Sequence, residues 1–151
     1  MRSADKRLRD ALRVLARLNR VLESADSGLT IPQYRMLTAL GDGGERSARL
    51  AERLTIRKPT VTALADGLVA AGYAAREGEA GDRRIVRLHL TESGRRALDH
   101  ADAAYLAKLK PLLAGVPDAD QFVSALLAIG AALDARHRDT PARNGNPAAA
   151  R

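Results

Sequence analysis

Apolar positions recur at helical spacing from the start of the chain. Within Asp5 to Ser24, Leu8, Ala11, Leu12, Leu15, Leu18 and Leu22 form a stripe, with Val14 and Val21 beside it. That stripe is wide enough to touch more than one neighbour, so it fits a core helix and a dimer helix equally. A second helix is predicted from Thr30. Pro32 lies in its first turn, Gln33 stands at capping-box spacing, and Tyr34, Leu37 and Leu40 turn inward before Gly41 stops it. The run Gly41-Asp-Gly-Gly44 forces a turn. It does not read as a phosphate loop, since no strand precedes it and no Lys-Ser/Thr follows.

Two helices then follow closely. Ser47 to Leu54 buries Leu50 and Leu54, and Lys58 to Ala71 buries Val61, Leu64 and Leu68 before Gly72. Only Thr55-Ile56-Arg57 separates them, and Pro59 suits a first turn, where a missing N–H costs nothing. This is helix-turn-helix spacing. Tyr73 to Glu77 and Arg84 to Leu90 read as short strands joined by the polar loop Gly78 to Asp82. Val86, Leu88 and Leu90 are expected inward, with Ile85, Arg87 and His89 on the other face.

Thr91-Glu92 caps a long helix with Leu98, Ala101, Tyr105, Leu109 and Leu112 inward, which Pro111 should kink or end. Pro117-Asp118 restarts a helix whose face holds Phe122, Leu126, Ile129 and Leu133, beside Val123 and Leu127. Beyond about Arg136 the chain is polar and rich in Pro, Gly and Ala, and disorder is expected there. The fold expected is mainly α with a small β-hairpin wing, a winged helix-turn-helix flanked by terminal helices.

Composition narrows the picture. The 151 residues suit one domain or a small domain with dimerising extensions, and a core with one Phe, three Tyr and no Trp is aliphatic and helix-favouring. Cysteine is absent, which excludes disulfides and a thiol redox switch. The charged start (Arg2, Asp5, Lys6, Arg7, Arg9) does not resemble a secretory signal, and the longest nearly apolar run, Val123 to Leu133, is shorter than the ~20 residues of a membrane span. A cytoplasmic chain without a membrane partner is expected.

The net charge of +7 points to a polyanionic partner, with nucleic acid first and an anionic membrane second. Charge does not locate the reader, however. Glu45 to Arg87 carries nine basic and six acidic residues, whereas Met1 to Ala25 carries seven and three.

Projected at 100° per residue, the second helix of the motif turns Pro59, Thr62, Ala63, Asp66 and Ala70 away from Val61, Leu64, Ala65 and Leu68, with Thr60 and Gly67 at one flank. Its outer side is short-chained and can lie deep in a major groove. There Thr hydroxyls reach phosphates or base edges and Thr methyls meet thymine methyls. Arg57 and Lys58 at the helix start are placed for phosphate. In the hairpin, Arg83 and Arg84 adjoin the tip, with Arg76 and Arg87 on the strands. An arginine at such a tip suits a narrow minor groove, and Asp82 can hold Arg84 by a charge-assisted hydrogen bond. The plain alternative for both surfaces is a solvated face.

These residues resemble the MarR family of bacterial transcriptional regulators. The likeness runs over Leu29-Thr-Ile-Pro-Gln-Tyr34, Leu50-Ala-Glu-Arg-Leu54, Pro59-Thr-Val-Thr62 and Leu68-Val-Ala-Ala-Gly72. It ends on Asp82-Arg-Arg84 spaced to Leu90-Thr-Glu-Ser-Gly94, its most specific part, and covers about 65 residues of the chain. The resemblance implies a homodimer interleaved through its terminal helices, recognition helices in successive major grooves of a pseudo-palindrome, and wings in the adjacent minor grooves. It further implies a repressor that releases DNA when a small aromatic or apolar effector binds. The implied partition is a dimerisation helix at 1–28, a DNA reader at 29–91, dimerisation helices at 92–136 and a tail at 137–151. Arg57 stands where the family commonly has a Ser cap, and Ala63 and Gly67 replace polar or basic residues, so base readout is expected to be thin.

No enzyme is expected. His89, His100 and His137 are scattered, and no carboxylate or metal-ligand cluster stands at useful spacing, so no cofactor or metal is called for. Two rivals to a regulator remain on the sequence: a low-specificity DNA-packaging protein without an effector, and a protein-interaction module.

Overall fold

The computed structural model describes residues 2–41, 43–79 and 82–139, and of these the backbone alone at 2, 79, 82–85 and 137–139. It divides into two units, 1–115 and 116–151. The first holds helices α1 (Arg2–Glu23), α2 (Ile31–Leu40), α3 (Ser47–Leu54), α4 (Lys58–Ala70) and α5 (Glu92–Leu113), with strands β1 (Glu45–Arg46), β2 (Ala74–Glu79) and β3 (Asp82–Leu90). The second holds α6 (Ala119–Asp139).

The core of the first unit is assembled by the apolar sides of the motif helices. Met36 and Leu37 of α2, Leu50 of α3, Val61 and Leu68 of α4 and Leu88 of β3 are wholly or almost wholly buried, and Ala101 and Tyr105 of α5 close it. Thr30 caps α2 as its spacing predicts: Gln33 N–H donates to Thr30 Oγ1 (3.3 Å) and Thr30 N–H to Gln33 Oε1 (2.9 Å). Helix α3 ends on Thr55 in the left-handed region (φ 56°), and Ile56 N–H donates to Ala51 O (3.1 Å). Two arginines tie α2 to α3 in opposite directions. Arg35 donates to Leu54 O (2.8 Å), and Arg53 donates to Ala39 O (2.9 Å). Each supplies a cation and a donor where helix-end carbonyls lack intrahelical partners.

The wing is larger than the sequence pattern suggests. β2 runs two residues past Glu77, and β3 starts at Asp82 rather than Arg84, so Gly78, Glu79 and Asp82 belong to strands and not to the loop. A third strand joins them: β1 pairs antiparallel with β3 (Glu45 opposite Leu88, Arg46 opposite Arg87), giving the order β1-β3-β2. Gly44 makes that approach possible. Its φ is +67°, and a Cβ there would run into the His89 ring and lie 2.8 Å from Leu88 O. Val86, expected inward, is 43% exposed. It stands opposite Gly78, where the two-stranded ribbon has left the helices behind.

The Leu90-Thr-Glu-Ser-Gly94 turn locks the wing to α5. Thr91 Oγ1 accepts from Gly94 N–H (3.0 Å) and donates to Gly72 O (2.6 Å), while Thr91 N–H donates to Tyr73 O (3.1 Å). Gly94 is buried against the Tyr73 backbone, and a Cβ there would overlap Tyr73 O. That turn therefore needs both a hydroxyl cap and a glycine. Helix α5 passes through Pro111 and ends at Leu113. The proline lies so near the end that it removes only one bond of the last turn.

On α6, Phe122, Leu126, Ile129 and Leu133 share one face and are 38–57% exposed within this chain. The helix continues to Asp139, three residues past Arg136; residues 140–151, the rest of the expected tail, lie outside the described residues. In α1 the apolar stripe grows barer toward the N-terminus. Leu22 packs on the core, Leu18 is half-buried, and Leu15, Leu12 and Leu8 are 50%, 64% and 71% exposed.

Candidate nucleic-acid interface

Helix α4 sits in the unit with one side committed to the core. Val61, Ala65 and Leu68 are buried and Leu64 is half-buried. The opposite side is Pro59, Thr60, Thr62, Ala63, Asp66, Gly67 and Ala70, all exposed, as the helical projection predicts. None of these side chains is longer than aspartate, so the helix offers a slim surface able to approach base edges closely. Thr62 Oγ1 donates to Lys58 O (3.1 Å), which leaves its lone pairs and methyl outward.

At the start of α4 the N-cap Arg57 makes no side-chain capping bond, as expected from the missing Ser. Arg57 and Lys58 are both exposed, and Pro59 occupies the first turn. Pro59 has no N–H, and Thr60 and Val61 N–H both donate to Arg57 O (3.0 and 3.1 Å), so what the helix start offers a phosphate is the two cations and the positive end of the helix dipole.

The wing is tied to this helix by a contact that sequence reasoning did not find. Arg76 Nη2 on β2 donates to Asp66 Oδ1 on α4. Asp66 and Arg76 are both exposed, and nothing in the periodicity of either element links them. Farther round the sheet His89 Nε2 lies 3.4 Å from Glu77 Oε2, joining β3 to β2. Arg87, opposite Glu77 on β2 and Arg46 on β1, is half-buried. The backbone places Asp82, Arg83 and Arg84 at the first positions of β3, next to the tip, but their side chains lie outside the described residues, and with them the pairing of Asp82 and Arg84. Arg57 to Asp66 thus form one continuous surface, while the tip residues are placed by their backbone alone.

Among the described residues no three His, Cys, Asp or Glu side chains gather as a metal would need, and no helix is long and apolar enough to cross a membrane. The arrangement offers hydrogen-bond donors, small apolar contacts and fixed cations along one helix and its neighbouring sheet.

Comparison with known proteins agrees with this geometry. The model of the MarR family matches residues 27–85. The HTH-type transcriptional repressor YetL of Bacillus subtilis is 28% identical over 117 residues, 73% of this chain and 70% of its own. Among solved structures, a MarR-family transcriptional regulator from Rhodococcus sp. RHA1 superposes with a TM-score of 0.70 at 24% identity, over 83% of this chain and 93% of its own. CouR from Rhodococcus jostii RHA1, solved bound to p-coumaroyl-CoA, gives 0.61 at 24% identity, over 89% and 91%. At these identities the two structures bear on the fold, which is the mainly helical winged helix with a small antiparallel sheet.

Proposed function

We propose that this chain, whose residues 27–85 match the model of the MarR family, is a homodimeric, sequence-specific repressor of transcription that binds a pseudo-palindromic operator. The observation that carries this reading is the outer side of α4, short-chained from Pro59 to Ala70 and headed by Arg57 and Lys58. In this reading Thr60, Thr62, Ala63 and Asp66 face base edges, Arg57 and Lys58 hold phosphates, and Arg83 and Arg84 follow the minor groove with Asp82 orienting Arg84.

The second copy takes the bare apolar faces. Leu8, Leu12 and Leu15 on α1 are 50–71% exposed, and separately Phe122, Leu126 and Ile129 on α6 are 38–57% exposed, and contiguous apolar exposure of this kind marks interaction surfaces. The partition into dimerisation helices at 1–28 and 92–136 around a reader at 29–91 belongs to the same reading. A small aromatic or apolar effector relieves binding, a role supported by the acyl-CoA ligand of CouR.

A competition experiment tests it. Purified protein on a labelled operator should resist random duplex by ~10³-fold or more at physiological salt. Equal competition by random duplex would favour the DNA-packaging reading, to which the thin readout at Ala63 and Gly67 lends itself. Failure to bind either duplex would favour a protein-interaction module.

A further inference from the structure

Helix α1 carries a second charged surface that the reader does not use. At 100° per residue, Lys6, Arg9, Arg13, Arg17 and Arg20 fall within a sector of about 80°, centred about 130° round the helix from Leu8, Leu12 and Leu15. All five cations are exposed. They span about 21 Å at the 1.5 Å rise of a helix. The acids Asp5, Asp10 and Glu23 lie only at the borders of that sector. Arg13 pairs with Asp10 (3.0 Å) at the surface, and Arg9 Nε donates to the Asp5 carbonyl (3.3 Å). Lys6, Arg17 and Arg20 make no ion pair among the described residues.

We propose that this basic face of α1 binds the phosphate backbone of a second DNA duplex, so that the protein holds two DNA segments at once. The inference rests on the reading that a second copy covers the leucine side of α1, which leaves the arginine side as the helix's outward face. Charge complementarity argues for a phosphate polymer. Four of the five cations are arginine, whose planar fork grips phosphate oxygens in pairs. The leucine side has no aromatic residue of the kind that seats an amphipathic helix in a lipid interface, which favours DNA over a membrane.

The order of packing argues for a separate duplex. α4 packs on α2, α2 on α5, and α5 on α1. Two helices therefore stand between α4 and α1 in the order of packing. The stripe is thus a second surface, on a different element from the outer side of α4.

The test uses three full-length variants. Arg9→Gln/Arg13→Gln/Arg17→Gln/Arg20→Gln removes the stripe with a good helix former. Lys58→Glu/Thr62→Glu disables the reader. The third variant combines both sets. Circular dichroism and size-exclusion chromatography establish that each is folded and whether it is dimeric. Wild-type protein on a bead-bound duplex should capture a second, fluorescent duplex at low salt. The four-Gln protein should hold the first duplex and lose capture of the second by tenfold or more. The reader-disabled protein should keep a sequence-blind, salt-sensitive affinity that the combined variant lacks, each contacted phosphate adding about 0.9 to the salt slope.

Second-duplex capture that survives the four-Gln change, or a reader-disabled protein with no residual affinity, overturns the proposal. So does stripe-dependent binding of anionic phosphatidylserine vesicles without second-duplex capture, which would assign α1 to lipid. A monomeric wild type would instead count against the homodimer reading, and loss of first-duplex binding in the wild type against the reader.

Discussion

Arg76, on the first strand of the wing, donates to the carboxylate of Asp66 on the outer side of α4. This pair joins the two parts of the candidate interface. It also engages the acid on the outer side of α4, where, if that side meets DNA as proposed, an unpartnered carboxylate would repel phosphate. Both side chains are substantially exposed, so the pair adds little to stability, about 0–1 kcal/mol. In the proposed function its weight falls on DNA binding.

Arg76→Ala should therefore weaken duplex binding several-fold while moving the melting temperature little. Adding Asp66→Asn in that background should recover part of the loss, since the exposed charge is gone. Fluorescence anisotropy on the same duplex measures both. No recovery would mean that Arg76 acts by touching DNA itself.

Thr62 and Lys58 should separate cleanly. Thr62→Ala should alter which bases are preferred and leave the salt dependence nearly unchanged. Lys58→Ala should weaken all sequences alike and lower the slope of log affinity against log salt by about 0.9, as expected for one phosphate contact. Binding to a randomised operator library at two salt concentrations reads both effects.

Two glycines predict opposite changes in stability. Gly94→Ala drives a methyl into Tyr73 O and should destabilise by about 1–3 kcal/mol. Gly67 lies inside α4 with nothing near its missing Cβ, so Gly67→Ala should stabilise by about 0.8–1 kcal/mol. Denaturant unfolding distinguishes them by sign.

Alkaline pH should find Tyr34. Its phenol donates to Asp102 (2.6 Å) and stands edge-on to Tyr105, with ring centres 4.9 Å apart. Burial first, and then the Asp102 acceptor and its charge, push the phenol up to about 12 from its ordinary 10.0. The unfolded chain ionises first, so the stabilisation is whole below pH 10.0 and drains away as the pH rises to about 12. Tyr34→Phe should be less stable at neutral pH and lose less of its stability across that window, as followed by unfolding at a series of pH values.

Leu8→Asp/Leu12→Asp should yield monomers by size-exclusion chromatography with light scattering. It should weaken operator binding by an order of magnitude or more, because two half-sites are then no longer read by one molecule.

Where a side chain's position follows from periodicity, the sequence was legible. The inner and outer sides of α4, the Thr30–Gln33 box and the turn at Thr55–Arg57 all lie where spacing puts them. The Asp82-to-Gly94 spacing was recognisable as a motif, and its physical reason is the Thr91–Gly94 lock on Tyr73. Glu45–Arg46 was not legible, because two polar residues have no period and become a strand only by meeting β3. The strand ends at Glu79 and Asp82 were equally silent: a ribbon that leaves the core needs no alternation, which is also why Val86 points to solvent. Asp66 and Arg76 meet through the fold, and no local pattern announces a pair between a helix and a strand.

The central claim is specific recognition of an operator by paired reading helices. Selection of genomic fragments by the purified protein at physiological salt, followed by sequencing, tests it most directly. The account predicts recovery of one or a few inverted repeats with half-sites about one helical turn, roughly 10–10.5 base pairs, apart. A smooth recovery blind to sequence would contradict it.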